Sequence, residues 1–152
     1  MIPDRVQEVL ENNNLKAIEF EKGSTPTAVL AAEKLGVAVG NIAKSLLFVA
    51  KDGRYFMVVC AGDKKVANAK LKATIGAKTR MAKPEETFTA TGYQPGGVCP
   101  FGVEKIQILL DISLRKYDTI YPAAGTDSSG VPMSFDELMR ITGAHVCDCT
   151  AE

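Results

Sequence analysis

A glycine-rich loop is the clearest candidate for chemistry in this sequence. Residues 96–102 are Gly-Gly-Val-Cys-Pro-Phe-Gly, a composition that excludes a helix or a regular strand interior. Glycine lets the backbone come close to a ligand, and proline stiffens the bend. Such a loop can offer several backbone N–H groups to a carbonyl, a carboxylate or a phosphate. We therefore expect a ligand site at this loop.

Two charged residues on predicted strands are candidates to meet the loop. Lys44 shares a strand face with Leu46 and Phe48, so its ammonium is expected at the mouth of a pocket or, alternatively, extended to water. Asp111 ends a strand of nearly continuous apolar character, where it could deliver a carboxylate to a site. The alternative for Asp111 is a structural role at the end of the strand.

The cysteines allow two further hypotheses. Four cysteines without a secretory signal pattern are expected to be free thiols. Cys99 lies in the glycine loop and would need His145, the only histidine, as its base. His145, Cys147 and Cys149 form an H-x-C-x-C pattern, but the spacing matches no common zinc site. We expect structural thiols and a terminal strand, with no metal and no cofactor.

Charge is distributed unevenly along the chain. The formal net charge is zero, yet residues 63–83 hold seven basic side chains against Asp63 alone, a local charge of +6. Such an excess is typical of a surface that binds a phosphate-rich partner. A solvated helix face and edge strand would give the same pattern, so both interpretations stay open.

Length and composition predict one globular domain over residues 1–152. The chain is 46% hydrophobic, which suffices for a proper core. Its longest apolar runs, residues 46–50 and 55–61, are too short to span a membrane. The N-terminus shows no basic-then-apolar signal pattern, so we expect a cytoplasmic protein.

Apolar spacing and capping signals predict helices and strands that intermix without a regular βαβ rhythm. This favours an α+β fold with a mixed sheet. The clearest hairpin joins two strands through Asp52-Gly53, and Ser134 with Glu137 forms a capping box, so Ser134 is a helix cap rather than a nucleophile. The predicted helices run from 4 to 12–14, from Thr25-Pro26 to Gly36, over 66–73, from Pro84, and over 135–142. The predicted strands are 16–20, 42–50, 54–61, 78–82, 105–111, 119–121 and 131–133.

Several motifs occur in an order that is similar to a known family. They are Thr25-Pro26 with the alanine-rich helix, Ile42-Ala43-Lys44-Ser45-Leu46, Ala61-Gly62-Asp63, Leu71, Thr91-Gly92-Tyr93, the glycine loop, Asp111, Gly125 and the last helix. Together they resemble the YbaK/ProX family, the free-standing relatives of the editing domain inserted in bacterial prolyl-tRNA synthetases. The resemblance covers about residues 15–145, and its specific part is the Gly-Gly-x-x-Pro-Phe-Gly loop combined with the upstream lysine.

The resemblance implies a mixed, barrel-like sheet flanked by helices, and hydrolysis of wrongly charged aminoacyl-tRNA. The family lysine most tied to activity corresponds to Lys44. The loop of the family frames the aminoacyl group and the terminal adenosine, with a carboxylate and a later glycine beside it. The substrate-binding positions implied in this way are Gly96, Gly97, Val98, Pro100, Phe101, Gly102, Asp111 and Gly125.

This chemistry is attack by water on an ester carbonyl, which needs donors for the developing oxyanion, and the loop N–H groups can provide them. The sequence leaves open whether Lys44 holds a phosphate, holds the carbonyl or transfers a proton. It also leaves open whether Asp111 binds the α-ammonium, orients Lys44 or caps its strand.

The expected partner is the acceptor end of an aminoacyl-tRNA that carries a small amino acid such as Ala, Cys, Ser or Thr. The tRNA would be tRNA-Pro or a related one, and a prolyl-tRNA synthetase is a further candidate partner. We expect no membrane contact, and a monomer or a weak homodimer. The alternative function is a non-catalytic tRNA- or synthetase-binding module with the same pocket. The tRNA phosphates are expected to contact Lys64, Lys65, Lys70 and Lys72.

Overall fold

Five helices and eight strands form an α+β fold in the computed structural model, which describes residues 1–152. The helices are α1 (Asp4–Asn12), α2 (Ala28–Leu35), α3 (Asn68–Ile75), α4 (Pro84–Thr91) and α5 (Phe135–Thr142). The strands are β1 (Ile18–Glu19), β2 (Ile42–Ala50), β3 (Tyr55–Ala61), β4 (Thr79–Met81), β5 (Ile106–Asp111), β6 (Tyr121–Pro122), β7 (Ser129–Gly130) and β8 (His145–Cys147). None of the helices has the length and apolar character needed to span a bilayer.

The central sheet is mixed and open. Its strand order is β4-β2-β3-β5-β8. Strand β6 also pairs with β2, on the same outer edge as β4 but at the opposite end of the strand. Strands β2, β3 and β4 are antiparallel neighbours, whereas β6, β5 and β8 join in parallel. The predicted α+β class and mixed sheet are confirmed. The barrel-like closure is corrected, because β4 and β8 end the sheet without pairing to each other.

The β2–β3 hairpin divides the core into two sides. Consecutive side chains of a strand point to opposite faces of the sheet. Ala43 and Leu47 therefore belong to the larger cluster of buried side chains, while Phe48 and Ala50 belong to a second cluster with Leu71 of α3. Lys44 lies on the second face, as the sequence predicted, and Ser45 on the first.

Helix boundaries follow their caps. Thr27, not Thr25, caps α2, because its side chain accepts a hydrogen bond from the Leu30 N–H at 3.2 Å. Gly36 ends α2 in the left-handed conformation, as predicted. The capping box of Ser134 and Glu137 forms at the start of α5, which confirms Ser134 as a cap.

Several short elements differ from the sequence prediction. Helix α3 begins two residues later than expected, and β1 covers only two of the five predicted residues. The predicted strand at 131–133 is replaced by β7 and by a single bridge between Ile120 and Met133. These segments have few main-chain partners, so their side-chain patterns alone do not define their limits.

The C-terminal segment returns to the loop between β3 and α3. Ala67 N–H donates to Cys149 O at 2.8 Å, and Ala151 N–H donates to Lys65 O at 2.9 Å. Lys70 Nζ on α3 adds bonds to Thr150 O at 2.9 Å and to the Asp148 carboxylate at 3.2 Å. The last residues therefore hold one side of this loop in place.

Candidate active site

A cavity of about 430 Å³ opens at the outer edge of β2. Its lining is mostly apolar, and Lys44 provides the only charged side chain. No aspartate or glutamate lines the cavity. Apart from β2 itself, it is bordered by the start of α2, the start of α4, the glycine loop and the segment after β6, through Pro26, Thr87, Gly96, Val98 and Ala123.

The cavity lies at a gap in the pairing of β2. Gly62 N–H donates to Ile42 O and Ala50 N–H donates to Arg54 O, so the even-numbered residues of β2 exchange hydrogen bonds with β3. The odd-numbered residues therefore face the outer edge. On that edge β6 ends its pairing at Ala43, and β4 reaches Leu47 through the Ala82 N–H. Ser45 lies between them, so neither β4 nor β6 pairs with its N–H and C=O, and no loop residue does so either.

Ser45 is unusual in a second respect. Its Oγ is the only buried side-chain nitrogen or oxygen without a hydrogen-bond partner. The residue as a whole is half-buried. Since the hydroxyl is enclosed, the exposed part of Ser45 is its main chain and Cβ. The main chain of Ser45, rather than its hydroxyl, is therefore accessible from the cavity.

Lys44 lines the cavity with its ammonium held in place. Nζ donates to the carbonyl oxygens of Lys64 and Gly62, the latter at 3.4 Å. A lysine ammonium has three donors, so one remains for a ligand. The Lys44 side chain is half-buried. The sequence left two positions open for it, at the mouth of a pocket or extended to water. It lies at the pocket, and its ammonium is also bound to the loop between β3 and α3.

The first half of the glycine loop meets the cavity. Gly96 and Val98 line it, and neither of their N–H groups has an acceptor within the chain. Gly97 is turned away, because a Cβ there would come within 2.8–2.9 Å of the Thr126 backbone. Gly97 is therefore needed for the close approach of the loop to the Gly125–Thr126 turn, and its own N–H donates to Gln94 O.

The second half of the loop is buried or lies at another surface. Pro100 and Phe101 are buried outside the cavity lining, and Gly102 contacts Arg5 of α1. The Arg5 guanidinium donates to Gly102 O at 3.4 Å and to Thr91 O. It also stacks 4.2 Å from the centroid of the Tyr93 ring. This end of the loop is held by α1 and does not reach the cavity.

Tyr93 secures the loop from inside. Its hydroxyl donates to Phe101 O, and its ring lies where a Cβ on Gly125 would approach to 2.9 Å. Gly125 has φ of +86° and does not line the cavity. Its place beside Tyr93 supports the turn that Gly97 packs against.

Asp111 lies away from the cavity, with no exposed surface. Its carboxylate accepts the Cys149 N–H at 2.7 Å, the Thr150 hydroxyl at 3.0 Å and the Ser113 N–H at 3.0 Å, with the Cys147 thiol at 3.8 Å. All its close partners are donors of the C-terminal segment and of the turn after β5. These contacts fit the structural alternative, in which Asp111 anchors the end of strand β5.

The thiols form no reactive pair and no metal site. Cys99 is buried in the larger core cluster, and burial raises its pKa to about 12. His145 is exposed on β8 and has no hydrogen bond to Cys99. No group of three or more potential ligands is arranged to hold a metal ion. Cys60, in strand β3, is fully buried as the sequence predicted.

The predicted tRNA-binding lysines have different surroundings. Lys65 and Lys72 are exposed, and Lys64 is half-buried in the loop whose carbonyl holds Lys44. Lys70 is engaged with the C-terminal segment, as described above. Only part of the set is therefore free to meet phosphates.

Comparison with known proteins agrees with this fold and identifies its family. The model of the aminoacyl-tRNA editing domain family matches residues 22–141. A Bacillus subtilis (strain 168) relative, the uncharacterized protein YwhH, is 38% identical over 89% of this chain and 86% of its own length. The proline–tRNA ligase of Shouchella clausii (strain KSM-K16) is 35% identical over 73% of this chain. The chain spans only about a fifth of that ligase's length.

Solved structures give the same result. The crystal structure of a proposed trans-editing enzyme for prolyl-tRNA synthetase superposes on this chain with a TM-score of 0.89 and 35% sequence identity. The superposition covers 97% of this chain and 96% of that one. The family match and the shared fold thus define an aminoacyl-tRNA deacylase. The chain belongs to the aminoacyl-tRNA editing domain family, as a YbaK-like member.

Sequence reasoning missed Ser45, Arg5 and Tyr93 as parts of the site and its support. A signal for Ser45 exists, because a polar residue beside Lys44 interrupts an otherwise apolar strand. Arg5 offered none, since its role depends on α1 packing beside a loop ninety-seven residues away.

Proposed function

We propose that this protein hydrolyses, in trans, the ester of mischarged aminoacyl-tRNA that carries Ala, Cys, Ser or Thr, on tRNA-Pro or a related tRNA. The observation that carries the proposal is one cavity that joins Lys44 with Gly96 and Val98 of the glycine loop. Residues 1–152 would act as one editing domain in the cytoplasm, where aminoacyl-tRNA is used. A prolyl-tRNA synthetase is the candidate protein partner.

The loop would stabilise the developing oxyanion. The N–H groups of Gly96 and Val98 are free, and Gly97 and Tyr93 hold the loop in place. Donors fixed in this way need no reorganisation when charge develops, and one such donor is typically worth about 3 kcal/mol. The ester of a ribose hydroxyl is already activated, so the water needs no strong general base.

Lys44 would act through its third N–H and its positive charge. The carbonyls of Gly62 and Lys64 fix the ammonium at the cavity, where it can bind the ester carbonyl or the terminal phosphate. An ammonium in a mostly apolar cavity acts on a nearby negative charge more strongly than one in bulk water.

Cavity size and lining support small substrates. Its volume falls within the range of small-ligand sites, roughly 300–1,000 Å³. Alanine side chains at 28, 31, 43 and 123 leave room for a short side chain beside the terminal ribose. Discrimination by one methylene is worth only about 1–3 kcal/mol, so the choice among the four amino acids is set by fine differences in this lining.

The test is a deacylation panel with Ala-, Cys-, Ser-, Thr- and Pro-tRNA. Wild type is compared with Lys44→Ala and with Lys51→Ala, a control on the exposed turn directly after β2. We expect selective hydrolysis of one wrong aminoacyl group, lowered about 100-fold or more by Lys44→Ala and unchanged by Lys51→Ala. Tight tRNA binding with no turnover of any ester would contradict the proposal and favour the binding module.

A further inference from the structure

The gap in the outer edge of β2 leaves one residue without the main-chain hydrogen bonds that a neighbouring strand would supply. Strand pairing stops at Ala43 on the β6 side and at Leu47 on the β4 side. Pro84 borders the cavity and has no N–H to donate to the open edge. The four residue steps from Ala43 to Leu47 span about 13 Å, at roughly 3.3 Å per residue. In this interval Ser45 presents one N–H and one C=O, both without partners.

An aminoacyl group is the complement of this edge. It carries one donor, the α-amino group, and one acceptor, the ester carbonyl, in the same arrangement as the N–H and C=O of a strand residue. Directly opposed residues of an antiparallel pair exchange two N–H···O bonds. A ligand that adds to an open strand edge gains its affinity from main-chain bonds of this kind.

The charges of the cavity support this placement. An α-ammonium finds no carboxylate in the lining, and Asp111 is enclosed elsewhere with its oxygens already occupied. Carbonyl oxygens are therefore the acceptors left for it. Lys44, the only charged side chain of the lining, is a cation whose ammonium is already held by the carbonyls of Gly62 and Lys64, so it offers the α-ammonium no acceptor.

We propose that the aminoacyl group binds as a one-residue β-bridge to Ser45, with its amino group on the Ser45 C=O and its carbonyl on the Ser45 N–H. The carbonyl oxygen has two lone pairs, so it can accept from Ser45 and from one N–H of the glycine loop together. The inference rests on the proposed function, because it takes an aminoacyl group as the ligand.

The experiment uses two non-hydrolysable ligands, 3′-deoxy-3′-(L-alanylamino)adenosine and its propionylamino counterpart, which lacks only the amino group. NMR follows amide exchange and carbonyl shifts in the wild-type protein. We expect the Ser45 amide to exchange fast in the free protein and about tenfold or more slowly with either ligand. The Ser45 carbonyl ¹³C signal should shift with the alanyl ligand alone, which should bind about ten- to hundredfold more tightly.

Two variants separate the main chain of Ser45 from its side chain. Ser45→Pro removes the N–H at an edge position where proline costs no ladder bond, so it should fold and lose about tenfold or more in affinity for both ligands. Ser45→Ala keeps both main-chain groups and therefore keeps the affinity difference between the ligands. Because its hydroxyl has no partner, Ser45→Ala should not lower the melting temperature.

Several results would overturn the bridge. They are an unprotected Ser45 amide in the bound state, equal affinity for the two ligands, absence of binding, or loss of the affinity difference in Ser45→Ala. Turnover in the deacylation panel without Ser45 protection would leave the proposed function standing and remove the bridge. Ser45 protection without turnover would do the reverse.

Discussion

The role of Asp111 is defined by what surrounds its carboxylate. Four donors contact it, from Cys147, Cys149, Thr150 and Ser113, and no cation does. A buried carboxylate is tolerated when its oxygens are satisfied in this way. The residue connects the end of β5 to the C-terminal segment and so acts on stability first.

Asp111→Asn is therefore expected to lower the free energy of unfolding by about 2–4 kcal/mol, because an amide cannot accept all these bonds and hydrogen bonds to a charged group are worth about 1.5–3 kcal/mol each. Urea unfolding measures the change. Asp118→Asn, at an exposed position, is the control and should stay within about 0.5 kcal/mol. A loss of kcat/KM with unchanged stability would instead mean that Asp111 contacts the substrate.

Among the elements, the loop between β3 and α3 connects the basic segment with the site. Its carbonyls hold Lys44, and the C-terminal segment pairs with its other side. Lys70 belongs to this structural connection through Asp148 and Thr150. A charge reversal at Lys70 would disturb the fold, so a test of tRNA binding must use the exposed lysines.

The double variant Lys65→Glu/Lys72→Glu should weaken tRNA binding and leave hydrolysis of a minimal aminoacyl-adenosine ester within about twofold. Each lost phosphate contact should reduce the slope of log K against log salt by about 0.7–0.9. Filter binding over a salt series measures this slope. Lys16→Glu/Lys51→Glu, with equal charge change outside the segment, is the control. Equal losses on tRNA and on the minimal ester would refute a phosphate-binding role.

Long elements with strong end signals could be predicted from the sequence. The β2–β3 hairpin matches because two apolar runs flank Asp52-Gly53, α1 because Val6, Val9 and Leu10 follow helical spacing, and α5 because of the Ser134 capping box. At the site, Lys44 and the first half of the loop were found by residue type. The gap at Ser45 could not be, because it depends on where β4 and β6 stop pairing. The burial of Asp111 depends likewise on a tail that returns from 38 residues away.

Over the whole molecule, the four thiols are all buried. Burial raises the pKa of Cys60 and of Cys99 to about 12 and raises that of Cys147 as well. A thiol with pKa near 12 has only about one ten-thousandth of its population as thiolate at pH 8. For these three thiols, reaction therefore requires unfolding or high pH.

We expect the native protein to react with a thiol reagent at least about 100-fold more slowly than a free cysteine, with a rate that rises from pH 7 to pH 9. In concentrated guanidinium chloride all four thiols should react. A colorimetric thiol titration measures both states. One thiol that reacts within seconds in the native protein, and is missing in Cys99→Ser, would contradict the inert assignment of Cys99 and reopen a nucleophilic role.

The interrupted edge of β2 also bears on association between copies of the chain. A long unpaired strand edge attracts the strand of another molecule and starts aggregation. Here β4 and β6 cover the two ends of β2 and leave one residue open, which is too short for a foreign strand to pair with. The same interruption that admits a single aminoacyl group thus keeps this edge of β2 from pairing with a strand of another molecule, so that a ligand site is gained there without an aggregation site.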